Sequence, residues 1–318
     1  MATLRSFRGV GGAQMTRFGQ KGYFVGGRAV GPSPREIRIY WSPQERSLTL
    51  DAQPVRRFAD YLGVLRVVVF CTEDLQLIKG TGRVRRRFLD LLLTQTHPTY
   101  LALLQNYTRA LRSRNLLLKQ RVIDDDALEG FSHELVKIGN QIVERRNNLA
   151  PRLSALAQQA YRQIAPEAEE LRLEYQPCVK QDFAVELAQS RTRERSYRST
   201  VVGPHRDDVV LFLKDKPAAQ FASEGQKRSL AITLKMAQAE YLSGLTGTPP
   251  ILLIDDVMGE LDLKRRSGLL PLLEGAHRAQ GQVFMTCTEE NWPRELGRDL
   301  QRWEVTAGTL RTSGQGER

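Results

Sequence analysis

The chain has 318 residues, of which 41% are hydrophobic and 26% charged, a balance typical of a globular protein with a core. Its length allows one large domain or two modest ones. Lys and Arg number 47 against 36 Asp and Glu, so the formal net charge is +11. This excess predicts an anionic partner, with nucleic acid the leading candidate; the alternative is that the charge only keeps the protein in solution.

Cysteine usage and hydropathy indicate the compartment. Cys71, Cys178 and Cys287 stand far apart, which excludes a disulfide framework and a metal-spaced cysteine pair. No apolar run is long enough to span a bilayer, and the N-terminus lacks the apolar core of a signal peptide. We therefore predict a cytoplasmic protein that does not engage a membrane.

The first 35 residues are rich in Gly and Arg, with few acids to balance the charge. In isolation this composition would fit a disordered basic tail. Residues 23–25, 37–41 and 48–50 alternate enough to favour strands of a meander with basic loops. The cations of this segment are the first candidate contacts to DNA phosphates, namely Arg5, Arg8, Arg17 and Lys21.

An apolar strand at residues 67–70 leads into an acidic turn that contains Glu73, and then into a basic helix start. Arg85, Arg86 and Arg87 follow one another there and cannot all be buried, so they are further candidates for phosphate contacts. The alternative is a helix start whose arginines pair with nearby carboxylates.

Residues 83–176 are predicted to be helical almost throughout, because leucines recur with helical spacing. Pro98, Pro151 and Pro166 are expected to interrupt or restart the helices, and the acidic triplet at 124–126 separates two arms. We interpret the segment as an antiparallel helical lobe inserted into a larger domain.

Beyond the lobe the pattern returns to strands, at residues 183–187 and 209–213. Between them stand His205, Asp207 and Asp208, residue types that ligate metals in hydrolases. No second histidine lies at ligand spacing, so the sequence leaves the role of these three residues open.

The next segment begins with a capped helix. Ser223 is a good N-cap, and Glu224 and Gly225 leave backbone N–H groups open in the first turn, where phosphate binds well. The helix is predicted from Gln226 to about Tyr241. Capping alone explains Ser223, but it does not explain why the cap lies just ahead of an acidic strand.

Residues 251–254 form an apolar run behind a proline pair, which predicts a buried parallel strand that ends at Asp255 and Asp256. Open α/β sheets bind ligands at this end of their strands. One carboxylate there could hold Mg²⁺ and the other could orient an attacking water; a strand that ends in solvated acids is the alternative. Residues 259–262 and a buried strand at 283–286 follow.

Three of these stretches, at 222–226, 251–256 and 259–262, resemble the signature turn, the Walker B strand and the D-loop of an ABC-type ATPase head. SMC and Rad50 proteins carry such heads, but the short helical lobe makes the resemblance closest to the RecF family. Residues 85–90 also resemble a motif of that family. The resemblance implies an α/β fold, namely an ABC-type ATPase head with a mixed β-sheet and an inserted helical lobe.

The resemblance also implies domains and site residues. The head would comprise residues 1–82 and 177–318, with the lobe at 83–176 between them. Mg²⁺ would lie on Asp255, and Asp256 would be the catalytic carboxylate. Ser223, Gly225 and Gln226 of the signature turn would contact ATP that is bound to a second protomer. Glu73, Asp262 and Thr286 are the other residues expected to contact or sense ATP.

One motif of such heads is not found in the sequence. A P-loop needs G-x-x-x-x-G-K-[ST], and the stretch Gly19-Gln20-Lys21-Gly22 lacks the hydroxyl residue and the upstream glycine. Two explanations are open: the natural start lies upstream, or the chain is a degenerate copy that cannot hold its own ATP.

The resemblance implies an ATP- and Mg²⁺-dependent protein of recombinational repair and replication restart, which dimerises around two nucleotides and binds single-stranded and gapped double-stranded DNA. It would help RecO and RecR to load RecA, with slow ATP hydrolysis that releases the dimer. The alternative is a non-enzymatic DNA-binding or trans-acting partner. A signalling or toxin-associated ATPase is a third possibility.

Overall fold

A computed structural model of the chain describes residues 6–30, 34–165, 170–279, 281–287 and 301–312. None of the helices in these ranges is long and apolar enough to cross a lipid bilayer. The helices are α1 Gly12–Met15, α2 Gln76–Lys79, α3 Gly82–Thr96, α4 Tyr100–Leu118, α5 Asp125–Ile164, α6 Phe183–Gln189, α7 Arg191–Tyr197, α8 Ala218–Phe221, α9 Glu224–Thr246 and α10 Leu263–Arg278. The strands are β1 Tyr23–Ala29, β2 Arg35–Trp41, β3 Arg46–Leu50, β4 Gln53–Pro54, β5 Val67–Cys71, β6 Leu171–Gln176, β7 Asp208–Leu213, β8 Lys216–Pro217, β9 Ile251–Asp255, β10 Val283–Thr286, β11 Trp303–Thr306 and β12 Thr309–Thr312.

A parallel sheet in the order β10-β9-β5 carries the acidic strand at its centre. Leu252 and Ile254 of β9 are buried, as expected for a strand of a sheet that helices cover. The three strands predicted in these regions are confirmed. Because parallel strands end at the same edge, β9 brings Asp255 opposite Cys71 of β5 and Thr286 of β10.

Helix α9 packs both on the parallel sheet and on the long helix α5. It is buried on most of its surface between Leu230 and Leu242, which is the pattern expected for a helix that lies between two layers. The sheet, α9 and α5 share one hydrophobic core, which also contains Leu89 of α3. Helices α3 and α5 therefore share their core with the parallel sheet.

Strands β1 to β4 form a separate antiparallel meander. Its small core consists of Ile37, Leu50 and Tyr61. The strands predicted at the N-terminal end of the chain are confirmed.

Helices α3, α4 and α5 form the lobe, and their boundaries follow local signals. Helix α3 ends before Pro98 and α4 begins after it, as predicted. Asp124, the first residue of the acidic triplet, caps α5 because its carboxylate accepts a hydrogen bond from the Ala127 N–H at 2.9 Å. Pro166 lies outside the described residues.

The expectation that Pro151 interrupts a helix is wrong, because α5 continues through it from Asp125 to Ile164. A proline inside a helix removes one backbone hydrogen bond. Leu149 and Leu153 on either side are buried in the core, and their burial holds the helix together across this position.

The C-terminal end of the segment predicted to be helical is a strand. Residues 171–176 form β6, which pairs antiparallel with β7. Leu171, Leu173 and Tyr175 are buried while the residues between them are more exposed. This alternation with period two is the signal of a strand with one buried face, and it outweighs the helical pattern upstream.

The strand predicted at residues 183–187 is in fact helix α6. Asp182 caps it by accepting a hydrogen bond from the Val185 N–H at 2.8 Å. Phe183 and Leu187 stand four residues apart, so both point to the core side of a helix, and both are buried. Five residues with four apolar side chains do not distinguish the two periods, and here the cap decides.

Two buried arginines join the lobe to the C-terminal part of the chain. Arg146 of α5 contacts both oxygens of Asp90 in α3 at 3.0 Å, and also Asp207 at 2.9 Å and the Pro204 carbonyl at 2.8 Å. Its side chain is 4% exposed, so the charge is desolvated and depends on these partners. Asp207 also accepts hydrogen bonds from the Tyr175 hydroxyl and the Cys178 N–H.

The second arginine, Arg114 of α4, is fully buried with Glu194 of α7. The two side chains form a bidentate pair with distances of 2.8 and 2.6 Å. The Arg114 guanidinium also donates to the hydroxyls of Ser132 and Thr200. Desolvated charges are tolerated when the geometry is bidentate and the remaining donors are used, as they are here.

His205 lies in the loop before β7, and its hydrogen bonds keep the imidazole ring neutral. Its Nδ1 is 2.8 Å from the Tyr107 hydroxyl, and its Nε2 is 3.2 Å from the Thr200 carbonyl. A carbonyl only accepts, so Nε2 carries the proton and Nδ1 accepts from the tyrosine. Burial lowers the pKa of His205 to about 4, and the nearby Arg206 and Arg86 charges act in the same direction.

This low pKa predicts a dependence of stability on pH. In the unfolded chain, His205 binds a proton as the pH falls below about 6.5, whereas in the folded chain it does so only near pH 4. We expect His205 to remove about 2 kcal/mol of unfolding free energy between pH 7 and pH 5, as measured by urea denaturation. His205→Gln should lose this part of the pH dependence, whereas the exposed control His277→Gln should retain it. Equal pH dependence in all three proteins would contradict the assignment.

Candidate functional site

Asp255 ends the central strand of the parallel sheet and is held by two side chains. Its Oδ2 accepts a hydrogen bond from the Arg8 guanidinium at 2.6 Å, and its Oδ1 accepts one from the Thr286 hydroxyl at 2.9 Å. Partial burial raises the pKa of this carboxyl, but the hydrogen bonds from Arg8 and Thr286 outweigh that effect, so its pKa lies below the usual range. Asp255 is therefore a carboxylate at neutral pH.

Asp256 follows with its backbone in the left-handed region, at a φ of 55°. Its N–H donates to the Thr286 carbonyl at 3.2 Å, and its side chain is exposed. Residues other than glycine adopt this conformation at a cost, although Asp and Asn adopt it more easily than most. The turn directs the second carboxylate away from the strand and into solvent beside the first.

The donor set at Asp255 fits Mg²⁺. Magnesium in proteins prefers carboxylate oxygens together with water and substrate phosphates. The Asp255 carboxylate already has a cationic group on one oxygen, because the exposed Arg8 side chain reaches it. Arg8 and Thr286 use one lone pair each of the about four on this carboxylate, so a cation can still bind there in competition with Arg8. Asp255 is the residue that would hold the metal.

Glu73 lies close to this edge of the sheet. It follows β5 in a short turn, is exposed, and contributes to the field that raises the pKa of Arg8, in which the Asp255 hydrogen bond is the largest cause. Its neighbour Asp74 accepts from the Cys71 N–H at 2.9 Å and pairs with Lys235 of α9 at 3.3 Å. Asp74 therefore fixes the turn that presents Glu73 to solvent.

The signature turn at the start of α9 has a complete capping box. The Ser223 hydroxyl accepts from the Gln226 N–H at 3.2 Å, and the Gln226 side chain accepts from the Ser223 N–H at 2.8 Å. Ser223 is exposed. Glu224 forms an ion pair with Lys79 of α2 at 2.5 Å, which ties the turn to the segment after the first parallel strand.

Gly225 stands where a side chain would collide with an arginine. A Cβ at this position would lie 2.8 Å from Nη2 of Arg265. Arg265 donates to the Ser229 hydroxyl at 2.7 Å and pairs with Asp262. Asp262 in turn caps α10 by accepting from the Arg265 N–H at 2.9 Å. Arg265 therefore links the first turns of α9 to the start of α10, a role that its sequence context alone does not reveal.

The predicted site residues thus fall into two groups of contacts. The first lies at the carboxyl edge of the parallel sheet and contains Asp255, Asp256, Thr286 and Glu73, with Arg8 among them. The second lies around the start of α9 and contains Ser223, Gly225, Gln226 and Asp262. Arg8 was expected only as a DNA contact, and its ion pair with Asp255 places it in the first group.

The arginines and the lysine predicted to contact DNA differ in how many of their hydrogen-bond donors the protein itself occupies. Arg85 makes a bidentate pair with Asp208, with both distances at 2.8 Å, and donates to the Gly80 carbonyl. Arg86 donates to the Asp207 carbonyl. Both guanidiniums are therefore used at least in part within the protein, which corresponds to the alternative of arginines paired with nearby carboxylates. Arg17, Lys21 and Arg87 are exposed, and Arg5 lies outside the described residues.

A hydrolase-type metal cluster is not found in the described part of the chain. No group of three or more His, Cys, Asp or Glu side chains there could hold a metal ion. His205 is bound by Tyr107 and Thr200, and Asp207 and Asp208 are bound by arginines. These three residues therefore join the loop before β7 to helices α3, α4 and α5.

Comparison with known proteins gives consistent relatives, although no protein-family model matches the chain. The DNA replication and repair protein RecF of Symbiobacterium thermophilum is 40% identical over 279 residues, which is 83% of this chain and 73% of the relative. RecF of Lactococcus lactis subsp. lactis is 34% identical over 315 residues, which is 98% of this chain and 86% of the relative.

Solved structures agree with the sequence relatives. The structure of the recombination mediator protein RecF-ATPrS in the RecFOR pathway superimposes with a TM-score of 0.86 and 27% identity, over 97% of this chain and 85% of that one. The corresponding RecF-ATP structure gives a TM-score of 0.85. The predicted α/β ATPase-head fold is thereby confirmed. The chain belongs to the RecF family of DNA replication and repair proteins.

Proposed function

We propose that this protein is an ATP-dependent DNA-binding protein of recombinational repair and replication restart. The observation that carries the proposal is the carboxyl edge of the parallel sheet, where Asp255 is held by Arg8 and Thr286 and is followed by Asp256 in a left-handed turn. The solved relatives are RecF-ATPrS and RecF-ATP structures, which supports ATP as the ligand of this protein.

In this proposal the first carboxylate holds Mg²⁺ and the second orients water. Asp255 would hold the Mg²⁺, which would supply neutralisation of phosphate charge. The Thr286 hydroxyl keeps Asp255 in one rotamer, and the left-handed backbone of Asp256 exposes its carboxylate, which would orient the attacking water. The strand next to β9 ends at Thr286, whose hydroxyl is a poor general base, and this suits slow hydrolysis.

The signature turn supports a homodimer. Ser223 is exposed and belongs to the second group of contacts, apart from the carboxyl edge. Its capping box leaves further N–H groups of the first helical turn directed outward, where they suit the γ-phosphate of ATP on a second protomer. We propose that ATP closes such a dimer on single- or double-stranded DNA and that hydrolysis releases it. The RecFOR pathway of the solved relatives supports RecO and RecR as partners.

ATP dependence of DNA binding tests the proposal directly. With Mg²⁺ and ATP, we expect the protein to bind a fluorescent gapped duplex at least about tenfold more tightly than without nucleotide, as measured by anisotropy. Affinity that falls steeply with salt but ignores ATP would instead favour the non-enzymatic DNA-binding alternative, because phosphate neutralisation needs no nucleotide.

The role of Asp256 predicts a separation of hydrolysis from dimerisation. Asp256→Asn keeps a residue that tolerates a φ of 55° but removes the carboxylate. We expect ATP hydrolysis to fall by about 100-fold or more, while ATP-dependent dimers form and persist longer. Phosphate release and size-exclusion chromatography with light scattering measure the two effects. Unchanged hydrolysis and dimer lifetime would remove Asp256 from the catalytic role.

The contact between Arg8 and Asp255 predicts competition with the metal. One carboxylate oxygen cannot be close to both a guanidinium and a metal ion without repulsion between the two cations. We expect Arg8→Ala to lower the Mg²⁺ concentration needed for binding of a fluorescent ATP analogue by about twofold to fivefold, the factor typical of an exposed ion pair. Arg17→Ala removes an exposed arginine of the same segment and serves as the control. A higher Mg²⁺ requirement in Arg8→Ala would show that Arg8 assists the metal instead.

A further inference from the structure

An open cleft lies where the start of α3 faces the loop at residues 203–208. Its lining consists of Thr81, Gly82, Arg83, Arg86, His205, Arg206, Asp207 and Asp208. Gly82 allows the close approach of the two sides, because a Cβ there would lie 2.9 Å from Oδ1 of Asp208. The cleft is separate from the carboxyl edge of the parallel sheet.

The acids of the cleft are already neutralised from inside the protein. Asp208 is paired in bidentate fashion with Arg85, and Asp207 with the buried Arg146. Burial alone would raise the pKa of Asp208, but its bonds to Arg85 and to the Val209 N–H hold that pKa below the usual range. Both residues are therefore committed to arginines that lie behind the cleft. They leave little negative charge for the arginines at its mouth.

The arginines at the mouth have unused hydrogen-bond donors. Arg83 and Arg206 are exposed, and neither forms an ion pair with any residue in the described ranges. Within the described ranges, the hydrogen bond found for the Arg206 guanidinium goes to the Thr200 carbonyl, at 3.4 Å. Arg86 is half-buried and donates from one nitrogen to the Asp207 carbonyl. A guanidinium has five N–H donors, so most of the donors on these three side chains are available to a ligand.

We propose that this cleft binds a backbone phosphate of nucleic acid, with Arg83 and Arg206 as the contacting residues. Planar guanidiniums that converge from two sides match the oxygens of a phosphate diester. The exposed Arg87 in the next turn of α3 and the net charge of +11 favour an extended polyanion over a small free anion. The proposal rests on the DNA-binding function proposed above and assigns residues to it.

The cleft is connected to the signature turn by two short contacts. Arg85, whose partner Asp208 lines the cleft, donates to the Gly80 carbonyl at 2.7 Å. The preceding Lys79 pairs with Glu224 of the signature turn at 2.5 Å. A phosphate bound at the start of α3 is thus separated from the signature turn by one short helix and one loop, which gives nucleotide and DNA a common structural element.

The test compares two double variants with the same loss of charge. Arg83→Ala with Arg206→Ala removes the proposed contacts, and Arg109→Ala with Arg112→Ala removes two exposed arginines of α4 as a matched control. Binding of a fluorescent 30-bp duplex is measured by anisotropy over a range of salt concentrations. We expect the cleft variant to bind about tenfold more weakly and to lose about two units of the slope of log affinity against log salt. The control should lose much less.

Further outcomes separate the two proposals. Restored affinity in Arg83→Lys with Arg206→Lys would show that charge at the cleft carries the effect. Equal losses in the cleft and control variants would overturn the cleft, whatever the effect of ATP. Loss of affinity only in the cleft variant, with no ATP dependence in any protein, would keep the cleft and overturn the ATP-dependent function. Inorganic phosphate and polyglutamate are tested as competitors at the same ionic strength. If either one displaces the duplex, the ligand is a small anion or an acidic protein surface, which would overturn nucleic acid as the ligand.

Discussion

The buried charge of Arg146 is the constraint on which the rest of the structure depends. It lies in the middle of α5, and its partners come from α3 and from the loop before β7. A desolvated guanidinium that loses one carboxylate partner is left uncompensated, at a cost of about 3 to 5 kcal/mol. Helices α3 and α5 and the loop before β7 must therefore keep one relative position. That position also fixes Asp208, and through it Arg85 and the start of α3.

The two candidate ligand sites use this fixed frame in different ways. At the carboxyl edge, the regular geometry of parallel strands brings Cys71, Asp255 and Thr286 to one line, and a single irregular residue, Asp256, turns the chain out of the sheet. Backbone strain of this kind persists where the surroundings hold it in place, and it concentrates at functional sites. At the cleft, in contrast, positive charge remains at the surface because Asp207 and Asp208 are paired with Arg146 and Arg85 inside the protein.

Local signals made much of the fold predictable from the sequence. The apolar run before Asp255, the Ser223 cap and the acidic triplet at Asp124 each act within a few residues, so the sequence indicates them directly. Residues 183–187 were misassigned because a short apolar run does not distinguish a strand from a helix, and only the cap at Asp182 does. The partners of Arg85 were not predictable, because Asp208 lies 123 residues away along the chain.

The role of the loop at residues 203–208 illustrates the same limit. As a sequence it offers a histidine and two carboxylates, the composition of a metal site, and nothing local distinguishes ligation from ion pairing. The structure supplies the missing groups from a distance: Tyr107 and Thr200 for His205, Arg146 for Asp207, and Arg85 for Asp208. Each titratable side chain of the loop is thereby used for packing, and the one exposed cation, Arg206, is the residue left to meet a partner. Arginines that the fold leaves without a carboxylate partner therefore mark the surface where a polyanion can bind, and the number of arginines in the sequence does not identify them.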